Sequence, residues 1–415
     1  MNELSKIFIE PVRARKAVLQ MDLLAAELKV MEGGVSIINR NLRYKIAARE
    51  AIKARLNEVA AQLAEEGRRV GRMRNGLEEI TGWYVKTENS NLEKLVAKAS
   101  GIASSAQGGN QPLSGEDLLK TPAKDMDSFI SDFEKKNPEV AKQFNKFLSG
   151  GKNNQISEED IRNIKYLAYN AEEPYRSIYL KNLSKFKISN ADLNGGAYYK
   201  PVFHNLNYSY PDDFKSDPRG PYTTVFHECG HAIDDLSNET KWWGSDTENF
   251  KIRSDAMGKE VTLREAIEYD VYYNTNNPHS VTSIANQVIS EGKFGSRGNV
   301  DKVIAAFKSG NTSRLSNDDL NLYNVVINQH NRTTGTSAQY EAVSDVYGGV
   351  SHNALRTNYG HDTDYWNNKN NAGMELWAEF YSYNMARDTE NLAYLKEYFP
   401  ESAKVLEGYA HALAD

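Results

Sequence analysis

Apolar residues at Ile38, Leu42, Ile52, Leu56, Val59, Leu63, Val70, Met73, Leu77 and Ile80 recur at spacings of three, four and seven residues or multiples of these. That is the periodicity of one helical face. Val18, Leu19, Leu23, Leu24 and Leu28 mark an earlier helix, and Gly33-Gly34 followed by Ser36 reads as a break and restart. Residues 1–96 are therefore expected to form an antiparallel helical hairpin with Gly33-Gly34 at its tip. Residues 97–115 are small, polar and glycine-rich, and read as a flexible linker. Helical patterning returns over 116–195, with amphipathic stretches at Met126–Phe133 and Glu158–Asn170.

Near Gly195 the pattern changes. Ala197–Phe203 and Leu206–Tyr210 are β-prone, and Pro201 confines the first of them to a sheet edge. A helix is expected from Pro221, a residue suited to a first helical turn, with an apolar face of Val225, Phe226, Ala232, Ile233 and Leu236. About 100 residues rich in Asn, Ser and Tyr follow, over 238–336, and read as a partly helical insertion lying over that helix. The pattern over 337–414 is strongly helical. The fold class expected is mainly α, with an α+β domain over 196–415 that combines a small sheet with the helix after Pro221.

The chain has 415 residues, 40% hydrophobic and 26% charged, ordinary for a soluble protein of two or three domains. Net charge is −6, which offers neither a nucleic-acid footprint nor a polybasic membrane anchor. No apolar run approaches the roughly 20 residues of a membrane span, and the N-terminal MNELSKIFIEPVRARK lacks the apolar core of a signal peptide. Residues 1–95 carry 17 Lys+Arg against 13 Asp+Glu, a balance of +4, which leaves −10 for the remainder. That contrast supports separate modules. A single cysteine, Cys229, rules out an intramolecular disulfide and reads as a helix-packing residue.

All eight histidines lie at or after residue 204. Two of them open the chemistry: His227-Glu228-Cys229-Gly230-His231 places two imidazoles one turn apart on a helical face, where they can grip one metal ion, zinc by this motif. Glu228 is then placed to take a proton from a water at the metal. The third ligand must come from another helix. Glu341 with Asp345 and Glu375 with Glu379 are both carboxylate pairs four residues apart in apolar, aromatic surroundings, where an unpaired charge is costly. In either pair the first acid would bind metal and the second would orient a ligand histidine. The residue pattern alone leaves both pairs open. Asp234 and Asp235 are placed to orient the site or cap the helix.

HECGHAIDD, His227–Asp235, resembles the H-E-x-G-H-A-x-D-D segment of the anthrax lethal factor family of zinc metallopeptidases. MELWAEF at Met374–Phe380 and KEYFPESAKVLEGY at Lys396–Tyr409 resemble the end of that catalytic domain. Ser344-Asp345, Gly360-His361 and Tyr365-Trp366 match segments of similar phage-associated and polymorphic-toxin peptidases. The resemblance covers residues 195–414 and implies a zincin-like fold, one zinc ion and hydrolysis of peptide bonds in a protein substrate. It implies Glu375 as third ligand with Glu379 behind it, whereas Glu341-x-x-x-Asp345 looks like the rival thermolysin pattern. Peptidases of this class stabilise the oxyanion with a tyrosine or histidine. Tyr365 and His361 are the candidates here, with His352 a weaker one. The strand before the metal helix is where such enzymes pair with an extended substrate.

The N-terminal hairpin resembles the WXG-like and LXG-type helical regions of type VII secretion effectors. Tyr84-Val85-Lys86-Thr87-Glu88 fits the Tyr-x-x-x-Asp/Glu export signal, although the turn has Met31-Glu32-Gly33-Gly34 in place of the family tryptophan. This implies a toxin-like effector secreted without a cleaved signal peptide, with a small helical secretion partner on the hairpin and an immunity protein as further partners. The competing expectations are a phage or structural assembly protein carrying an auxiliary or inactive peptidase-like domain, and a zinc hydrolase of non-peptide amides.

Overall fold

The computed structural model describes residues 113–148, 156–188, 197–208, 214–215, 217, 219–237, 246–292, 295–334, 341–357 and 360–414, and residues 28, 31, 54–55, 57–67, 69–70 and 73 of the N-terminal part. The chain divides into two compact units, Met1–Gln111 and Pro112–Asp415. The described positions of the first unit are helical. The Gly33-Gly34 tip and the Tyr84–Glu88 segment lie outside the described residues. Among the described residues no helix is long and apolar enough to cross a membrane.

Among its described residues the second unit is mainly helical with two small sheets. It opens with α1 (Gly115–Leu119), α2 (Ala123–Lys136), α3 (Pro138–Leu148), α4 (Glu158–Asn170) and α5 (Tyr175–Asn182). Local signals set these boundaries. Ser157 caps α4 by accepting the Asp160 N–H, and Pro138 opens α3, where its missing N–H leaves no bond unmade. Amphipathic α2 buries Met126 and Ile130 and stacks Phe133 on Tyr169 of α4, ring centroids 4.2 Å apart.

Three short strands follow, β1 (Lys187–Ile188), β2 (Tyr198–Lys200) and β3 (Asn205–Asn207). β3 lies between the others, parallel to β1 and antiparallel to β2, with Tyr199 opposite Leu206. Pro201 ends β2 and opens a single 3-10 turn, Pro201–Phe203, so the first β-prone stretch is a short edge strand. Next come α6 (Thr223–Ser237), a hairpin of β4 (Lys251–Ser254) and β5 (Lys259–Thr262), and α7 (Leu263–Glu268), which runs into a π-turn at Tyr269–Tyr273. Helices α8 (Val281–Ser290), α9 (Val300–Ser309), α10 (Asn317–Thr334), α11 (Glu341–Ser351), α12 (Asn371–Ala386), α13 (Thr389–Tyr398) and α14 (Pro400–Ala414) complete the unit.

The most extensive helix pair is α6 against α12. Gly230 makes their close approach possible: a Cβ there would stand 2.9 Å from Ala378 Cα. Trp377 Nε1 donates to the Gly230 carbonyl at 2.9 Å across the same crossing. The segment expected to lie over the site instead packs mainly against α11 and α14. Its Asp270 carboxylate accepts the backbone N–H groups of Glu401 and Ser402 and so caps α14. Among the described residues of 238–336, Glu248 alone lines the cavity described next.

Candidate metal centre

Helix α6 begins at Thr223, two residues later than the Pro221 start expected from the sequence. Tyr222 has φ 66°, outside helical space, and the Asp217 carboxylate caps the helix by accepting the Thr224 N–H at 2.9 Å. Val225, Phe226, Cys229, Ala232 and Ile233 are fully buried, which fixes the rotation of the helix about its axis. His227 and His231 then share the face turned toward α12 and a cavity of about 460 Å³. Tyr198, Tyr199 and Pro201 of the β2 edge form one wall of that cavity, and His361, Tyr365, Met374 and Glu375 form the other.

His227 Nε2 and His231 Nε2 are 3.1 Å apart, and Glu375 Oε2 lies 3.3 Å from the first and 3.5 Å from the second. A tetrahedral ion with bonds of about 2.0–2.1 Å, as zinc makes to imidazole and carboxylate, has ligand–ligand edges of about 3.3 Å. The three atoms therefore form one face of such a tetrahedron, and the group could hold a metal ion. Glu228, 5% exposed, lines the same cavity, and its Oε2 has no hydrogen-bond partner. Burial raises its pKa, against the opposing pull of His227 and His231. Burial also opposes ionisation of Glu375, but the two histidines hold its pKa well below the usual carboxylate range. For His227 burial acts downward and the Glu379 and Glu375 charges upward, leaving its pKa at about 10.

Glu379, one turn beyond Glu375, stands behind His227 with Oε1 3.3 Å from Nδ1. The same oxygen accepts from Arg219 Nη1 at 2.8 Å. Burial works against the Glu379 charge, and Arg219 with His227 overcomes it, so its pKa falls to about 2. Arg219, Asp217 and Thr224 are contributors that the sequence did not reveal. No short-range pattern marks Arg219, because its partner lies 160 positions away.

Asp345 meets a different histidine from the one expected. Its carboxylate accepts from the backbone N–H of His361 at 2.6 Å and pairs with His361 Nδ1 at 2.8 Å. His361 Nε2 then lies 3.9 Å from Glu375 Oε1, and Asp345, His361 and Glu375 form a second acidic–histidine group. Both Asp345 oxygens already serve His361, so this group reads as a positioned histidine rather than a ligand set. Tyr365 donates its hydroxyl to Glu375 Oε1 and stacks on His361 at 3.9 Å between ring centroids. Glu341, the rival ligand, is absent from both groups. Its pKa is raised by burial and lowered by the Arg219 charge, so it shares the electrostatic surroundings of Arg219.

Three further expectations resolve locally. Asp234 accepts the Asp246 and Thr247 N–H groups and the Tyr409 hydroxyl, so it anchors the chain after α6. Asp235 accepts the Tyr199 hydroxyl at 2.8 Å and ties the β2 wall to α6. His352, whose Nε2 meets the Lys308 carbonyl, does not line the cavity. No protein-family model, curated protein or solved structure matches the chain.

Proposed function

We propose that the Pro112–Asp415 unit is a zinc-dependent endopeptidase with a zincin-like fold. The observation that carries this reading is the triangle of His227, His231 and Glu375 with Glu228, whose Oε2 is unpartnered, beside it on one cavity. Zinc held by these three residues would supply a Lewis acid and a water of near-neutral pKa. Glu228 takes the proton of the attacking water and passes it to the leaving amine, a task its raised pKa favours. His361 lines the cavity and is held through Nδ1 by Asp345; burial lowers its pKa, but Asp345 and Glu375 raise it, and the imidazolium so favoured would donate its Nε2–H to the developing oxyanion. Tyr365 braces Glu375 and shares that face. The β2 edge offers backbone groups to an extended peptide.

The likeness of HECGHAIDD and MELWAEF to the lethal factor family supports the same reading. The sequence pattern of the N-terminal unit supports export as a secreted effector, with a helical secretion partner and an immunity protein.

Zinc content and peptide cleavage of Glu375→Ala beside Glu341→Ala test the assignment. Glu375→Ala is expected to lose both, and Glu341→Ala to retain zinc. The reverse result refutes the ligand set.

A further inference from the structure

We propose that Arg219 is a positioning residue for metal binding, acting on the ion through Glu379 and His227. This rests on the metal reading above and adds a residue that no motif identifies. Glu379 Oε2 has no hydrogen-bond partner. Oε1 alone faces both Arg219 Nη1, at 2.8 Å, and His227 Nδ1, at 3.3 Å. His227 Nδ1 is buried with no hydrogen bond formed, and the oxygen standing 3.3 Å from it is the one the guanidinium anchors. With a proton on Nδ1, the lone pair of Nε2 points to the ligand triangle.

The guanidinium is itself held. Nη2 donates to Thr224 Oγ1 at 2.7 Å, and the Asp217 carboxylate lies 3.5 Å from Nε. The Arg219 backbone is fixed at both ends, its N–H donating to Asp217 Oδ1 at 3.0 Å and its carbonyl accepting from Asn391 Nδ2 at 2.7 Å. Its side chain is 19% exposed and that of Glu379 is 7% exposed, so water offers this carboxylate little alternative solvation. A planar fork reaching Glu379 and Thr224 together is a task for arginine, and lysine offers only a point charge.

The test is a double-mutant cycle read as zinc affinity, by competition with a chromophoric chelator, on the full chain. Arg219→Met and Glu379→Gln are each expected to weaken zinc binding by about 10–100-fold. The double variant should be no weaker than the weaker single variant, because both act on one contact. Arg219→Lys should recover part of the loss. Wild-type affinity in Arg219→Met, or losses that multiply in the double variant, overturns the proposal. Where Arg219→Met does not fold by far-UV circular dichroism, the cycle of Arg219→Lys with Glu379→Gln decides on the same criterion. Failure of the underlying reading shows separately, as absence of zinc binding by the wild-type chain.

Discussion

An alanine at Gly230 would place its methyl carbon 2.9 Å from Ala378 Cα and 3.4 Å from Tyr381 Cδ1. The first contact is to helix backbone and has no rotamer to escape into. Restoring an ordinary carbon–carbon contact of about 3.5 Å requires α6 and α12 to part by roughly half an ångström. Overpacking of this kind costs about 1–3 kcal/mol, and alanine returns about 1 kcal/mol over glycine within a helix. Stability should thus fall by about 0–2 kcal/mol, a loss of less than about 8 °C in melting temperature for a unit of this size. The metal triangle is more sensitive. Two of its edges, 3.3 and 3.5 Å, run from α6 to Glu375 on α12, so both cross the displaced interface. Lengthening them by half an ångström takes both to roughly 4 Å, well past the tetrahedral edge of about 3.3 Å. Zinc affinity should fall at least about tenfold, or about 1.4 kcal/mol. Calorimetry of the metal-free protein and chelator competition measure the two effects side by side. A Gly230→Ala protein that binds zinc as tightly as wild type would refute the idea that this crossing sets the site.

Other consequences concern chemistry and pH. Glu228→Gln should retain zinc and lose peptide cleavage by about 10²–10⁴-fold, and undiminished turnover would remove Glu228 from the mechanism. His361→Gln should lower kcat by about 10²–10³-fold with zinc content unchanged, and Asp345→Asn should act in the same direction through the lost Nδ1 partner. A protein that loses zinc with His361→Gln would make that residue a ligand instead. His330 is 1% exposed, and burial holds its pKa down to about 3 from 6.5 against the opposing pull of the Leu355 backbone. The unfolded chain binds a proton below about pH 6.5 that the folded chain refuses, so this contribution to stability is complete above that pH and drains as pH falls toward 3. At pH 5 the loss is about 2 kcal/mol. His330→Phe should flatten that acid slope in thermal melts, and an identical slope in both proteins would show that His330 does not cause it.

What could be read from the sequence is local. The four-residue spacing of His227 and His231 and the apolar residues around them are enough to place two imidazoles on one face of a helix, since helical periodicity needs no distant partner. Pro201 confines its strand to a sheet edge by backbone chemistry that involves only its own residue. Glu375 and Glu379 stood out as charges in an apolar helix, yet the residue pattern gave Glu341 and Asp345 the same standing. Only the resemblance to lethal factor separated the pairs in advance. Tertiary structure decided which carboxylate meets the histidines, because that depends on how closely α6 and α12 approach across Gly230 and Ala378. It also turned Asp345 toward His361 and set Arg219 behind Glu379. These are pairings between chain segments far apart in sequence, in which a buried charge finds its counterion, and no periodicity within either segment encodes the other. The HECGH stretch by itself therefore specified two histidines and a glutamate on one helix, and the crossing of two helices brought Glu375 and the charges around it to them.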